Sequence, residues 1–253
     1  MRNIKITISY DGSPFHGWQS QNGQITIQGE IEKALLKLTG EKCNVISSGR
    51  TDAGVHALAQ VANFKTKSNI PPEGFLKGLN SLLPQEIAIL DVQEATPDFH
   101  ARKDAIKKSY FYRIVSSKVR LPLVVKRAWI INKYLDLAQM EEAAKYLIGE
   151  HDFSSFMASG SSVKSTIRTI FSLELKRLFC PEYLEHEIPE IRIYVAANGF
   201  LRYMVRNIAG LLVEVGLGKR TPEEIPEILM RKDRSYGART APAQGLYLMK
   251  VFY

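Results

Sequence analysis

The sequence predicts an α+β fold built from two β-α-β-β-α-β units, and three observations carry that prediction. Short apolar-alternating runs, as in Ile4-Lys5-Ile6-Thr7-Ile8, mark half-buried strands. Between them lie segments with apolar residues at helical spacing, such as Ile27, Ile31, Ala34, Leu35 and Leu38. The order strand, helix, strand, strand, helix, strand then occurs twice along the 253 residues, the ferredoxin-like pattern.

Residues 4–10 read as the first strand, and a polar loop, 11–26, follows it. That loop carries Phe15-His16-Gly17-Trp18-Gln19, side chains a plain connector does not need. Thr26 is placed to cap a helix that Gly40 ends. Strands are expected over 43–48 and 58–66, a helix over 73–83 up to Pro84, and a strand over 87–92. In the second half, strands are expected at 109–115, 167–178 and 191–197, and helices at 137–147 and 202–217. A short helix follows Pro222, and 245–253 is the closing strand. The serine-rich stretch 154–165 reads as an exposed, mobile loop. The halves divide at 103/104, and two such units side by side would leave a groove for a long ligand.

Charge is uneven. Residues 1–103 hold 11 Lys and Arg against 10 Asp and Glu, whereas 104–253 hold 23 against 16. Basic pairs recur: Arg102-Lys103, Lys107-Lys108, Lys126-Arg127, Lys176-Arg177, Lys219-Arg220 and Arg231-Lys232. Such a field favours a polyanion, nucleic acid first, although solvated surface lysine gives the same count. No apolar run has the length of a membrane span, and the amino terminus has no apolar signal core, so a cytoplasmic protein is expected. Cys43 and Cys180 have neither pairing nor metal spacing and read as reduced.

Several chemistries lack their motifs. Gly216-Leu217-Gly218-Lys219-Arg220 has neither the spacing nor the hydroxyl of a phosphate loop, and no Gly-x-Gly-x-x-Gly follows a strand. No Gly-x-Ser-x-Gly elbow occurs, and the histidines at 16, 56, 100, 151 and 186 show no metal spacing. What remains is a carboxylate. In Ser47-Ser48-Gly49-Arg50-Thr51-Asp52-Ala53-Gly54-Val55-His56, two glycines able to take positive φ bracket an arginine and Asp52. The turn either presents an ionised Asp52 beside Arg50 or is an ordinary polar turn. In Lys107-Lys108-Ser109-Tyr110-Phe111-Tyr112, Tyr110 and Tyr112 share a strand face beside cations, a platform for stacking a base, with Phe111 facing the core. Arg202 and Arg206 are four apart, on one face of the expected helix. Leu246 and Leu248 either wall a pocket or belong to the core.

These segments, together with Tyr10-Asp11-Gly12, Gly17-Trp18-Gln19, Phe99-His100-Ala101-Arg102, Met204-Val205-Arg206-Asn207 and Gly245-Leu246-Tyr247-Leu248, resemble the tRNA pseudouridine synthase A family in kind and order. The resemblance implies a pseudouridine synthase fold with a basic cleft, a homodimer, and isomerisation of uridines 38, 39 and 40 of tRNA with no cofactor and no metal. It implies Asp52 as the catalytic group, acting as nucleophile on C1′ or as base at C2′. Tyr110 would stack on the uracil, Leu246 pack against it, Arg50 hold the flipped base or fill its space, and Arg206 keep Asp52 charged. Arg102, Lys107, Lys108 and Arg202 are further RNA-binding candidates. The lack of terminal extensions suits the compact bacterial form. Rival readings are a non-catalytic RNA-binding protein, a uracil methyltransferase, and a pseudouridine synthase for another uridine.

Overall fold

A computed structural model describes residues 1–160 and 163–253, and its elements are mixed α+β. The chain divides into two compact units, Met1–Ile106 with Tyr247–Tyr253, and Lys107–Leu246.

In the first unit, β1 (Arg2–Tyr10) buries Ile4, Ile6, Ile8 and Tyr10, the alternation expected of a half-buried strand. The α1 helix (Ile27–Thr39) starts where Thr26 Oγ1 accepts the Gly29 N–H and stops at Gly40, φ 73°, whose N–H reaches the Leu36 carbonyl. Then come β2 (Ile46–Ser47), β3 (His56–Thr66), α2 (Pro72–Leu82) and β4 (Ile87–Ala95). The antiparallel order β4-β1-β3, with β2 on the far edge of β3, is that of a ferredoxin-like unit. The expected strand 43–48 is cut to two residues.

The second unit holds β5 (Lys107–Ser116), β6 (Trp129–Ile131), α3 (Leu137–Lys145), β7 (Gly149–Asp152), β8 (Ile167–Phe179), β9 (Pro189–Ala197), α4 (Met204–Gly216) and α5 (Glu224–Arg231). Its strands run β5-β9-β8-β7 antiparallel, with β6 parallel to β5. In α4 only Arg206 and Glu214 escape burial, as an apolar helix packed on all sides requires. A Cβ on Gly210 would meet the Arg239 carbonyl at 1.9 Å, so glycine is what lets the strap at 239–241 lie against this helix.

The closing strand β10 (Leu246–Phe252) pairs in parallel with β3 through Tyr247↔His56 and Leu248↔Ala57. Residues 247–253 thus fall in the first compact unit, although they complete the second strand-helix repeat in sequence order.

The serine-rich stretch is not a plain loop where it is described. Ser154–Phe156 is a 3-10 turn, and Ser155 is buried with its Oγ donating to the Ile228 carbonyl at 2.6 Å. Ser161 and Ser162 lie outside the described residues.

Candidate active site

Asp52 sits half-buried on the turn between β2 and β3. Only the second of the turn's glycines uses the left-handed region, Gly54 at φ 78°; Gly49 does not. The turn is braced from below. Ser48 Oγ donates to Gln60 Oε1 at 2.6 Å, and Gln60 Nε2 donates to the Gly49 carbonyl at 2.8 Å, with Gln60 fully buried. Tyr10 Oη and Thr51 Oγ1 lie 2.8 Å apart in a hydrogen bond. Burial pushes the Tyr10 hydroxyl up to about 12, against the hydrogen bonds to Thr51 and Gln60 that lower it.

The loop after β1 braces the turn from its other side by backbone contact. A Cβ on Gly12 would fall 2.0 Å from the Val55 carbonyl oxygen. At Gly17, φ 87°, it would fall 2.7 Å from that of Thr51. The Trp18 N–H donates to the Thr51 carbonyl at 3.0 Å. His56, 3% exposed, stacks on Tyr247 at 4.6 Å and accepts the Gly12 N–H at Nδ1 (3.2 Å). The same Nδ1 lies 3.2 Å from Asp11 Oδ1 and pairs with it when protonated. In either state His56 fastens the two loops together, a part in shaping the turn. Asp52 is therefore carried on a turn braced from both sides.

In the second unit, Tyr110 on β5 is only 8% exposed and meets the Phe200 ring edge-on at 5.1 Å. Tyr112 does not extend a stacking platform. It is fully buried, its hydroxyl donates to the Pro242 carbonyl at 2.7 Å, and a Cβ on Gly245 would strike its ring at 2.5 Å. Burial raises its hydroxyl far above the usual range, against the opposing charge of Arg206. Phe111 is buried beside Tyr194, and the Arg192 guanidinium covers its ring at 5.5 Å.

Arg206 projects from the first turn of α4, where Nε donates to the Ala241 carbonyl at 2.8 Å. Arg202 is not on that helix, because α4 begins at Met204 after Tyr203 takes the left-handed φ of 66°. Both guanidiniums nonetheless lie against the Tyr203 ring, at 4.9 and 4.7 Å from its centre. Leu246 opens β10 and is 6% exposed. Lys107 and Lys108 are half-buried at the start of β5, and Arg102 is exposed. Arg50, also exposed, lines one cleft with Arg102, Trp18 and Gln19. Loop residues 12–19 earn their place through backbone fit and this cleft, and their unneeded aromatics were the signal in the sequence.

Cys180, Glu182 and Glu190 bring their ligand atoms within 4.8 Å of one another. Arg113 fills that space. It donates to Glu190 and Glu182 at 2.8 and 2.9 Å and approaches Cys180 Sγ at 3.5 Å.

A family model described as tRNA pseudouridine synthase matches residues 6–103 and 143–253. The chain belongs to the tRNA pseudouridine synthase family. That makes it an isomerase, and the α+β fold is the one its family predicts. It is 47% identical over 253 residues, all of both chains, to the tRNA pseudouridine synthase A of Thermoanaerobacter sp. (strain X514). Over the same full length it is 48% identical to that of Caldicellulosiruptor bescii and 45% to the tRNA pseudouridine synthase A 2 of Clostridium perfringens. A chain of the archaeal box H/ACA sRNP Nop10-Cbf5 crystal structure aligns with TM-score 0.35 and 12% identity, over 83% of this chain and 43% of that one. That likeness bears no weight for function.

Proposed function

We propose that this chain isomerises uridine to pseudouridine in tRNA, at positions 38, 39 and 40 of the anticodon arm, with Asp52 as its catalytic residue. The observation that carries the proposal is the turn at 49–55: a partly exposed carboxylate, fixed from two sides by buried hydrogen bonds, in a chain of this family. The full-length relatives, named for tRNA, support that substrate.

The reaction breaks the N-glycosidic bond, turns the uracil and joins its C5 to C1′. No electrons are gained or lost, and the C5 proton is released. Asp52 acts at the sugar, as nucleophile on C1′ or as base at C2′, and both routes begin from the ionised carboxylate. The target base leaves its stack at a cost of roughly a few kcal/mol, offset by stacking and phosphate contacts. Tyr110 supplies the stacking face, Leu246 an apolar wall, Arg50 a contact to the flipped base, and Arg206 the cation that keeps Asp52 charged. Tyr110 offers its face to a base only after its neighbours move, because so little of the ring is open. Residues 1–103 carry the chemistry and 104–253 most of the positive field, while Arg102, Lys107, Lys108 and Arg202 hold phosphate. The enzyme works as a homodimer in the cytoplasm, which light scattering and cell fractionation test.

Incubation with tRNA transcripts tritiated at uridine C5 tests the reaction. Release of tritium, with pseudouridine mapped to 38–40, is expected. No release sinks the proposal, and product elsewhere moves the enzyme to another uridine.

A further inference from the structure

A cleft of about 170 Å³ opens in the first unit beside the catalytic turn, with Trp18, Gln19, Asn44, Arg50 and Arg102 in its lining. Its frame is held in place. Gln28, also in the lining, accepts the Ser20 N–H at 3.1 Å and donates to Glu32 at 2.8 Å. Glu32 in turn takes the Val45 N–H at 3.0 Å, and the Gln28 N–H donates to the Trp18 carbonyl at 3.0 Å. The polar side chains that face into the cleft are the opposite case. Gln19, Asn44, Arg50 and Arg102 have no side-chain hydrogen bond or ion pair among the described residues. The lining contains no acidic residue. Two guanidiniums in one small cleft without a counter-charge are arranged for an anion, and arginine suits phosphate in particular.

The size narrows the choice of ligand. Pockets that enclose a whole small-molecule ligand run to about 300–1,000 Å³. This cleft is smaller and takes one unit of a longer chain. Its carboxamides offer both a donor and an acceptor, which together match the edge of a nucleobase, whereas a bare phosphate uses only the donor.

Resting on the RNA reading above, we propose that this cleft holds a second nucleotide of the bound RNA, distinct from the uridine being isomerised. Its phosphate meets Arg102 and shares Arg50 with the flipped base, and its base edge meets the amides of Gln19 and Asn44. A flanking nucleotide held there fixes the register of the strand at Asp52.

Asn44 is exposed, whereas Cys43 and Cys180 are buried, so Asn44→Cys can be labelled selectively with a short aryl-azide cross-linker. On photolysis with full-length tRNA, adducts are expected at one or two adjacent nucleotides. Arg102→Ala is expected to weaken tRNA binding several-fold, to lower the slope of log affinity against log salt by about one, and to deplete that adduct. Adducts scattered over the tRNA, or none, together with an unchanged slope, overturn the proposal. Tritium release by the parent protein is measured alongside. Release without a localised adduct rejects the cleft and leaves the isomerisation standing. A localised adduct without release upholds the cleft and rejects the isomerisation.

Discussion

The turn that carries Asp52 depends on glycines for its fit. Gly12 is the clearest case, since any side chain there begins 2.0 Å from the Val55 carbonyl oxygen. Gly12→Ala must push the two loops apart. We expect a loss of about 1–3 kcal/mol, seen as a lower melting temperature, and a larger fall in tritium release. A variant with the parent's melting temperature and activity would show that the loops do not need this contact. Asp52→Ala should abolish turnover and leave tRNA affinity within about tenfold, roughly 1.4 kcal/mol; titration and single-turnover assays check both. Full activity in that variant removes Asp52 from its role. Asp52 stood out in the sequence because its turn is local, a run of ten residues. The fit of Gly12 and Gly17 against it was not legible, because a backbone approach between residues some forty positions apart leaves no periodicity.

At the scale of elements, helices with local end signals were read closely, α1 above all, where Thr26 and Gly40 act within one turn of the ends. The start of α4 was read two residues early. Nothing local shows that Tyr203 will adopt a left-handed φ, which costs a non-glycine residue about 1–3 kcal/mol. The strands β6 and β7 went unread because they are three and four residues long, and β7 is polar Gly-Glu-His-Asp at a sheet edge. Strands β5 and β9 are also tied by charge. Arg113 on β5, 5% exposed, joins fully buried Glu190 on β9 and Glu182 in the turn between β8 and β9. Hydrogen bonds from Arg113 hold the Glu182 carboxyl at about 2, against an ordinary value of 4.5 and against the opposing effect of burial. Its contribution to stability is complete above the ordinary value and disappears as the pH falls toward 2. Glu182→Gln should therefore lower stability at neutral pH and flatten the acid limb of a melting-temperature profile between those limits. A limb as steep as the parent's would place the acid sensitivity elsewhere. Asp152 shares the window: burial opposes ionisation, but Ser154, Thr166 and Lys232 hold its carboxyl at about 2.

At the scale of the molecule, some members of the basic pairs have a counter-charge within the chain and add little to its field. Arg220 is committed to Glu214 and Glu224, Arg231 to Glu227, and Lys232 to Asp152. Counting charge along the sequence cannot make this distinction, because i,i+4 pairs and long-range pairs look the same as bare cations. If the chain binds tRNA as proposed, log affinity should fall linearly with log salt, by somewhat less than one unit per phosphate neutralised. A flat response would exclude tRNA as the ligand.

The parallel pairing of β10 with β3 also sets a clock. The first unit is made first but finished last, since its edge at His56 and Ala57 waits for a strand that lies beyond the whole second unit. At about 5–20 residues per second, that gap is roughly 7–30 s of synthesis. Throughout it, a nascent chain carries an open sheet edge beside its Asp52 turn, a place where other strands can add. A ribosome stalled anywhere before Tyr247 therefore displays an Asp52 turn whose neighbour His56 still lacks its stacking ring.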